Sequence, residues 1–242
     1  MDSAILSVNN IVKRFGQKEV LKKISFSMEE GDIVGYLGPN GSGKTTTLMS
    51  MTGLLKYDDG YIQVLGRDVQ KEYESLYGKI AVLFDENGLF EKLTAKQNLM
   101  FYLKAFHRED NVDLAMDLMK KLDLYEDLDR KVATFSKGMK RKLALARCLI
   151  IKPSVMFLDE PFDGIDIEHR DKIITILKEY KKKYRISIIL TSHVMADIEE
   201  LANKIIIIQN GKIIVNETME AFSARGGKNL TENYLKVIKH GE

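Results

Sequence analysis

Apolar positions follow strand-like spacing at both ends of this chain and helical spacing in its middle. Residues 5–36 contain short apolar runs broken at 16–17 and 30–32, typical of short strands joined by turns. From 155 onward, apolar strands and amphipathic helices alternate. The pattern predicts one α/β domain over residues 1–242, with parallel strands joined by helices, an antiparallel N-terminal lobe and a helical insert at about 90–150.

Local signals mark the ends of several elements. Thr94 followed by Gln97 is a capping box, which predicts a helix beginning there. Leu114, Leu118 and Leu122 recur at helical spacing and indicate another amphipathic helix. Asn210-Gly211 lies between two apolar runs and predicts a two-residue hairpin turn.

Composition narrows the function classes. Lys plus Arg number 37 against 35 Asp plus Glu, a net charge of +2, which does not favour a general binder of nucleic acid. Cys148 is the only cysteine, so no internal disulfide can form. No apolar run approaches the roughly 20 residues that span a bilayer, and the start of the sequence does not resemble a signal peptide. If a membrane is involved, we expect another chain to span it.

A glycine-rich loop follows the predicted strand at residues 33–37 and precedes a helix predicted at about 45–55. It matches G-x-x-x-x-G-K-[ST], in which backbone N–H groups and the helix N-terminus face a phosphate chain. We expect nucleotide contacts at Gly38, Pro39, Asn40, Gly41, Ser42, Gly43, Lys44, Thr45 and Thr46. The alternative is a strand-to-helix turn without chemical consequence.

Two carboxylates follow the apolar run at 155–158. Ligands of open α/β sheets bind at the carboxyl ends of the strands, where Asp159 and Glu160 would lie. Asp159 would hold Mg²⁺ together with the Thr45 hydroxyl, and Glu160 would act as the general base for an attacking water. An ordinary solvated loop start is the alternative.

His193 follows another apolar run, at 186–190. A strand end would place it at the same edge of the sheet, where it could donate a hydrogen bond to a γ-phosphate. A packed or surface histidine is the alternative. His107, His169 and His240 have no such placement and are predicted to be surface residues.

A basic helix start follows Phe135. Ser136 is a good N-cap, and Lys137, Lys140 and Arg141 then fall near the first turn, where the helix dipole disfavours positive charge. A bound anion would relieve this mismatch. The alternative is a solvated basic face.

In their order and spacing, these motifs resemble the nucleotide-binding domain of ABC transporters. The resemblance covers nearly the whole chain, and its most specific element is Ser136-Lys137-Gly138-Met139, similar to the signature of ABC-2-type exporters. It implies a P-loop NTPase core with a helical subdomain that binds ATP and Mg²⁺ and hydrolyses ATP to drive transport, in the direction of export.

The resemblance also assigns roles to single residues. Phe15 lies where the family has an aromatic that stacks on adenine, although it could instead be packed on the core. Ser136 and Gly138 would reach the γ-phosphate held by the other copy of a dimer, and Asp166 would line the interface. Asp85 replaces the usual Q-loop glutamine, so three roles stay open: a contact with Mg²⁺ or the attacking water, communication with the permease, or a plain turn residue.

The implied partners are ATP, an integral membrane permease, and a second copy of the chain or a related ATPase, with no nucleic acid. The implied location is the cytoplasmic face of the cell membrane. Lys137 and Met139 depart from the commoner Leu-Ser-Gly-Gly-Gln signature. Rival hypotheses are a soluble ABC ATPase of translation or DNA repair, a GTPase or small-molecule kinase, and a regulatory module that holds ATP without turnover.

Overall fold

A computed structural model describes residues 4–85, 87–192 and 194–240. The chain divides into two compact units by its internal contacts. Unit 1 runs from the N-terminus to Leu76 and resumes at Ser187, and unit 2 is the continuous segment Tyr77–Ile186. The chain therefore leaves unit 1 once and returns to it.

Strands and helices are numbered in chain order. The first part of unit 1 contains β1 (Leu6–Phe15), β2 (Lys18–Met28), β3 (Ile33–Leu37), α1 (Lys44–Met51), β4 (Asp59–Val64) and β5 (Arg67–Asp68). Unit 2 contains β6 (Ile80–Leu83), α2 (Ala95–Ala105), α3 (Val112–Lys121), α4 (Lys137–Ile150), β7 (Val155–Leu158) and α5 (Ile167–Tyr184). Unit 1 then adds β8 (Ser187–Leu190), α6 (Met195–Leu201), β9 (Lys204–Gln209), β10 (Lys212–Thr218), α7 (Met219–Ser223) and α8 (Leu230–His240).

Unit 1 contains two kinds of strand pairing. Strands β2, β1, β4 and β5 form an antiparallel sheet in that order, which confirms the predicted antiparallel lobe. Strand β3 pairs in parallel with both β8 and β9, and β10 adds to β9 antiparallel through the predicted Asn210-Gly211 turn. Both turn residues have positive φ, 50° and 78°, as a type I′ turn requires.

The core of unit 1 is built around β3, in which all five residues are buried. Ile205 through Ile208 of β9 are fully buried beside it. A Cβ on Gly35 would lie 2.4 Å from Cγ2 of Ile198, so the absent side chain lets α6 pack directly on the strand. This packing fixes β3 and therefore the loop that follows it.

Unit 2 combines a parallel strand pair with helices. Strands β6 and β7 pair from Ile80 with Val155 to Leu83 with Leu158. Helices α2 and α3 pack against α4, whose Leu143, Ala146 and Ile150 are completely buried. The predicted capping box is confirmed, because the Thr94 side chain accepts from Gln97 N and the Gln97 side chain accepts from Thr94 N.

No helix in the described part of the chain combines the length and apolar character needed to cross a bilayer.

Candidate functional site

The loop between β3 and α1 depends on two of its glycines. A Cβ on Gly38 would lie 2.2 Å from the carbonyl oxygen of Ile208 in β9, so only glycine allows this close approach. Gly43 has φ of 112°, and a Cβ there would also lie 2.8 Å from a methyl of Leu21. The loop therefore curls tightly against the sheet before the helix begins.

Lys44 is the buried cation of this loop, with 8% of its surface exposed. Its Nζ donates to the carbonyl oxygens of Gly38, at 2.8 Å, and Pro39, at 3.2 Å. Both acceptors are neutral. Phosphate oxygens are stronger partners for an ammonium group than neutral carbonyls.

The same loop holds a buried hydroxyl suited to an anion. Ser42 Oγ is buried and has no hydrogen-bond partner among the described residues. Helix α1 begins after Gly43 with no side-chain cap and no acidic residue in its first turn. An uncapped helix N-terminus is a favourable place for phosphate. These residues therefore fit a nucleotide phosphate chain.

A short chain of hydrogen bonds connects Tyr36 of β3 to the carbonyl of Gly43. The Tyr36 hydroxyl donates to Thr47 Oγ1 at 3.1 Å, and Thr47 Oγ1 donates to the Gly43 carbonyl at 2.8 Å. Burial raises the pKa of Tyr36 well above its usual range, so the phenol stays protonated and able to donate. These hydrogen bonds hold α1 against β3 next to the loop that joins them.

The other predicted nucleotide contacts of unit 1 lie on its surface. Asn40, Gly41 and Thr45 are exposed, and Pro39 and Thr46 are partly buried. Phe15 ends β1 with 52% of its surface exposed, and Lys13 Nζ lies 5.1 Å from its ring centroid. The ring is therefore not packed in the core, and its exposure suits stacking on a planar base.

Asp159 and Glu160 lie directly after β7, whose four residues are all buried. Asp159 is 8% exposed, and its N–H donates to the Leu83 carbonyl at 2.7 Å, extending the strand pairing by one step. Glu160 has φ of 49°, a left-handed conformation that is uncommon for a residue with a side chain. The sequence interpretation did not foresee this conformation.

The start of α4 packs closely on the segment before α5. Ser136 caps α4, as predicted, by accepting from Met139 N at 3.2 Å. A Cβ on Gly138 would lie 2.6 Å from the Gly164 carbonyl oxygen, so glycine is needed there. A pocket of about 250 Å³ opens beside them, lined also by Lys142, Asp166 and His169.

The cations near the α4 start already have partners. Lys137 Nζ lies 2.6 Å from Asp163 Oδ2, and Lys140 pairs with Glu91. The bond from Lys137 holds the pKa of Asp163 below its usual range. Arg141 is only 4% exposed. The solvated basic face, one of the two alternatives, therefore does not hold for Arg141, and a bound anion is not needed to balance Lys137 and Lys140.

Asp166 and His169 form the N-terminal cap of α5. Asp166 Oδ1 accepts from His169 N at 3.0 Å, and the His169 ring Nδ1 lies 2.8 Å from the same carboxylate. The hydrogen bond from the His169 backbone, and after it the one from the His169 ring, lowers the pKa of Asp166. His169 Nε2 is also 3.4 Å from Asp123. His169 is thus half-buried between two carboxylates rather than free on the surface as predicted.

The remaining predictions concern metal and acid–base groups. Asp85 is exposed just after β6, and its charge, with those of Asp163 and Asp159, acts on Arg141. His193 lies outside the described residues. Among the residues that are described, no group of three or more His, Cys, Asp or Glu side chains forms a metal cage by itself.

The chain matches a family profile described as "ABC transporter" over residues 21–163, more than half of its 242 residues. The chain belongs to the ABC transporter ATP-binding family. It is 33% identical over 245 residues to the ABC transporter ATP-binding protein NatA of Bacillus subtilis, covering 98% of this chain and 99% of NatA. It is also 37% identical to the linearmycin resistance ATP-binding protein LnrL of Bacillus subtilis, over 92% of this chain and 72% of LnrL.

Solved structures agree with this assignment. The structure of an ATP-binding subunit of an ABC transporter superposes with a TM-score of 0.89 at 26% identity, covering 96% of this chain and 99% of that chain. The resemblance seen in the sequence and the predicted α/β fold, a mostly parallel sheet with an antiparallel lobe, are confirmed. The ABC domain is an ATP-hydrolysing enzyme domain, so the GTPase and kinase alternatives are excluded.

Proposed function

We propose that this ABC ATPase binds ATP with Mg²⁺, pairs with a second copy or a related subunit, and drives a separate membrane permease in export. The observation that carries the proposal is the loop at 38–46, with its buried Lys44, a buried Ser42 hydroxyl that has no partner in the described part of the chain, and a helix start without a side-chain cap. ATP bound there supplies the phosphoanhydride bond whose hydrolysis releases free energy.

The protein groups have separate roles in the reaction. Lys44 and the backbone of the loop bind the phosphates, and Phe15 stacks on the base. Thr45 and Asp159 would hold the Mg²⁺ ion, because a hydroxyl and a carboxylate suit that cation. Glu160 accepts the proton of the attacking water. A typical general base raises the rate about 10²–10⁴-fold. His193 donates to the γ-phosphate.

A second ATPase subunit completes the site in this proposal. The open pocket beside Ser136 and Gly138 would receive the γ-phosphate held by Lys44 of the other subunit. A two-fold axis would make two such sites from two identical surfaces. ATP would close the pair and hydrolysis would reopen it.

An aromatic surface formed by Phe90, Phe101 and Tyr102 is the proposed permease contact. Phe90 and Phe101 are 43% and 47% exposed, with ring centroids 4.6 Å apart. Asn98 fixes the position of Phe90, accepting from its N–H at 2.8 Å and donating to its carbonyl at 3.0 Å. Exposed aromatic side chains held in place are typical of protein interfaces.

The direction of transport and the place of work are inferred from a relative's name and from the signature. The name of LnrL connects that relative with resistance to linearmycin, and removal of a toxic compound is one route to resistance. The signature Ser136-Lys137-Gly138-Met139 is similar to that of ABC-2-type exporters. We infer that this chain works at the cytoplasmic face of the cell membrane, where the permease and ATP meet.

Single-turnover hydrolysis tests the chemical part of the proposal. Glu160→Gln keeps the size of the side chain but removes the base, so we expect normal ATP binding, a rate at least 100-fold lower, in the range typical of a lost general base, and accumulation of an ATP-bound dimer. Hydrolysis at the wild-type rate would refute Glu160 as the base. A protein that stays monomeric with ATP would refute the paired site.

A further inference from the structure

Arg141 of α4 is a buried cation that joins two separate segments of unit 2. Its Nη1 donates to the Phe84 carbonyl at 2.6 Å and to Asn87 Oδ1 at 2.9 Å. Its Nη2 donates to the Glu160 carbonyl at 2.8 Å and also to the Asp159 carbonyl. One guanidinium therefore holds the backbone of Asp159 and Glu160 and the residues on either side of Asp85.

Burying the Arg141 guanidinium costs free energy. Desolvation lowers the pKa of Arg141, opposed by the charges of Asp163, Asp85 and Asp159. The four acceptors on its terminal nitrogens are neutral oxygens, and its Nε has no partner among the described residues. A buried cation bonded to backbone carbonyls is expensive to keep and fixes the backbone geometry around it.

The backbone that it fixes is strained at Glu160. The φ of 49° is in the left-handed region, which is unfavourable for residues other than glycine. Such a conformation persists only where its surroundings hold it. The bonds from Arg141 to the carbonyls of Asp159 and Glu160 hold this turn, and the turn sets the direction of the Glu160 carboxylate.

We propose that Arg141 is a positioning residue for ATP hydrolysis, holding the turn that aims Glu160 and tying that turn to the segment that carries Asp85. The inference rests on the proposed role of Glu160 as the base. It adds a physical link by which displacement of the residues around Asp85 would move the base. Arg141 itself contacts neither nucleotide nor water in this account.

Arg141→Met retains much of the length and loses all four hydrogen bonds. We expect kcat to fall about 100-fold, the effect of misplacing a catalytic group by about 1 Å. ATP affinity and KM should change less than threefold, because every acceptor of Arg141 lies in unit 2 and none lies in the phosphate loop. Arg141→Lys keeps the charge and part of the bonding, so it should recover part of kcat.

Arg147 supplies the matched control. It lies on the same helix, and its Nη2 donates to the Val82 carbonyl in β6 at 2.7 Å, away from both carboxylates. Arg147→Met should reduce the melting temperature as Arg141→Met does and leave kcat within about threefold of wild type. The ATPase assay uses the isolated full chain at a temperature where every variant is folded.

Combining Arg141→Met with Glu160→Gln separates this inference from the proposed function. If Arg141 acts through Glu160, the double variant hydrolyses ATP no more slowly than Glu160→Gln alone in single turnover. Additive losses, equal loss of kcat in the Arg141 and Arg147 variants, or weakened ATP binding at unchanged kcat would overturn the inference. If Arg141→Met does not fold, a wild-type kcat in Arg141→Lys overturns it, and a reduced kcat at unchanged KM supports it. Rapid hydrolysis by Glu160→Gln would instead overturn the proposed base.

Discussion

Gly138→Ala adds a single methyl group where α4 meets the segment before α5. That carbon would lie 2.6 Å from the Gly164 carbonyl oxygen, whereas ordinary contact begins at 3.4 Å. The neighbour is backbone and not the end of a flexible side chain, so either the helix start or the loop must move. Both border the pocket proposed to receive the γ-phosphate.

Two opposing effects determine the change in stability. Alanine in a helix is favoured over glycine by about 0.5–1 kcal/mol. Overpacking a close contact costs about 1–3 kcal/mol. The packing cost is the larger, so we expect a net loss of about 1 kcal/mol in the free energy of unfolding. For a domain of this size, that lowers the melting temperature by about 2–4 °C.

Thermal unfolding and ATP turnover of the same preparation test this reasoning. We expect turnover to fall more than tenfold, since the signature would be displaced from the γ-phosphate. Lys140→Ala is the control, because it alters the same turn and removes only the ion pair with Glu91. It should change stability by less than about 0.5 kcal/mol. A more stable Gly138→Ala protein with wild-type turnover would refute the close contact and its role.

Other predictions concern binding, packing and titration. Lys44→Ala should lose ATP binding in a fluorescence titration with a labelled ATP analogue, and unchanged affinity would contradict its role. Phe157→Ala empties a fully buried site and should cost about 3–5 kcal/mol in urea unfolding; a loss below about 1 kcal/mol would contradict that packing. Cys148 is buried, and burial raises the pKa of its thiol, so alkylation by iodoacetamide should be far slower than for a free thiol and should reach a free-thiol rate in urea. The pKa of Asp163 is held low by Lys137, so this pair contributes its full stabilisation of the folded state above about pH 4, and the contribution is lost as the pH falls below that value through the lowered pKa of Asp163. NMR titration should find the pKa of Asp163 rising toward about 4 in Lys137→Met, and an unchanged value would contradict the ion pair.

Features specified by neighbouring residues could be predicted from the sequence. The capping box at Thr94, the cap at Ser136 and the turn at Asn210-Gly211 each depend on a few adjacent residues. The same holds for the phosphate loop, because its curled backbone follows from glycines within one short segment. Each of these features is therefore specified mainly by the residues next to it in the sequence, and a short stretch is enough to predict it.

Features that depend on distant segments could not be predicted. For Arg141 the sequence left open an anion contact or a solvated face, because its burial depends on carbonyls 57 and 18 residues away. His169 looked like a surface residue because its contact with Asp123 comes from another part of unit 2. The first two strands were expected to be short, yet they have 10 and 11 residues. Register shifts near Asn10, whose φ is 49°, interrupt the alternation by which long strands are recognised.

The most direct test of the account is affinity purification of the tagged chain from detergent-solubilised native membranes, with mass spectrometry of what accompanies it. A Phe90→Ser, Phe101→Ser double variant is processed in parallel, since it removes the aromatic surface and leaves the phosphate loop intact. We predict that a polytopic membrane protein accompanies the wild-type chain and is depleted with the variant. Recovery from the soluble fraction alone, together with ribosomal or DNA-repair proteins, would leave ATP hydrolysis standing and contradict the role in transport.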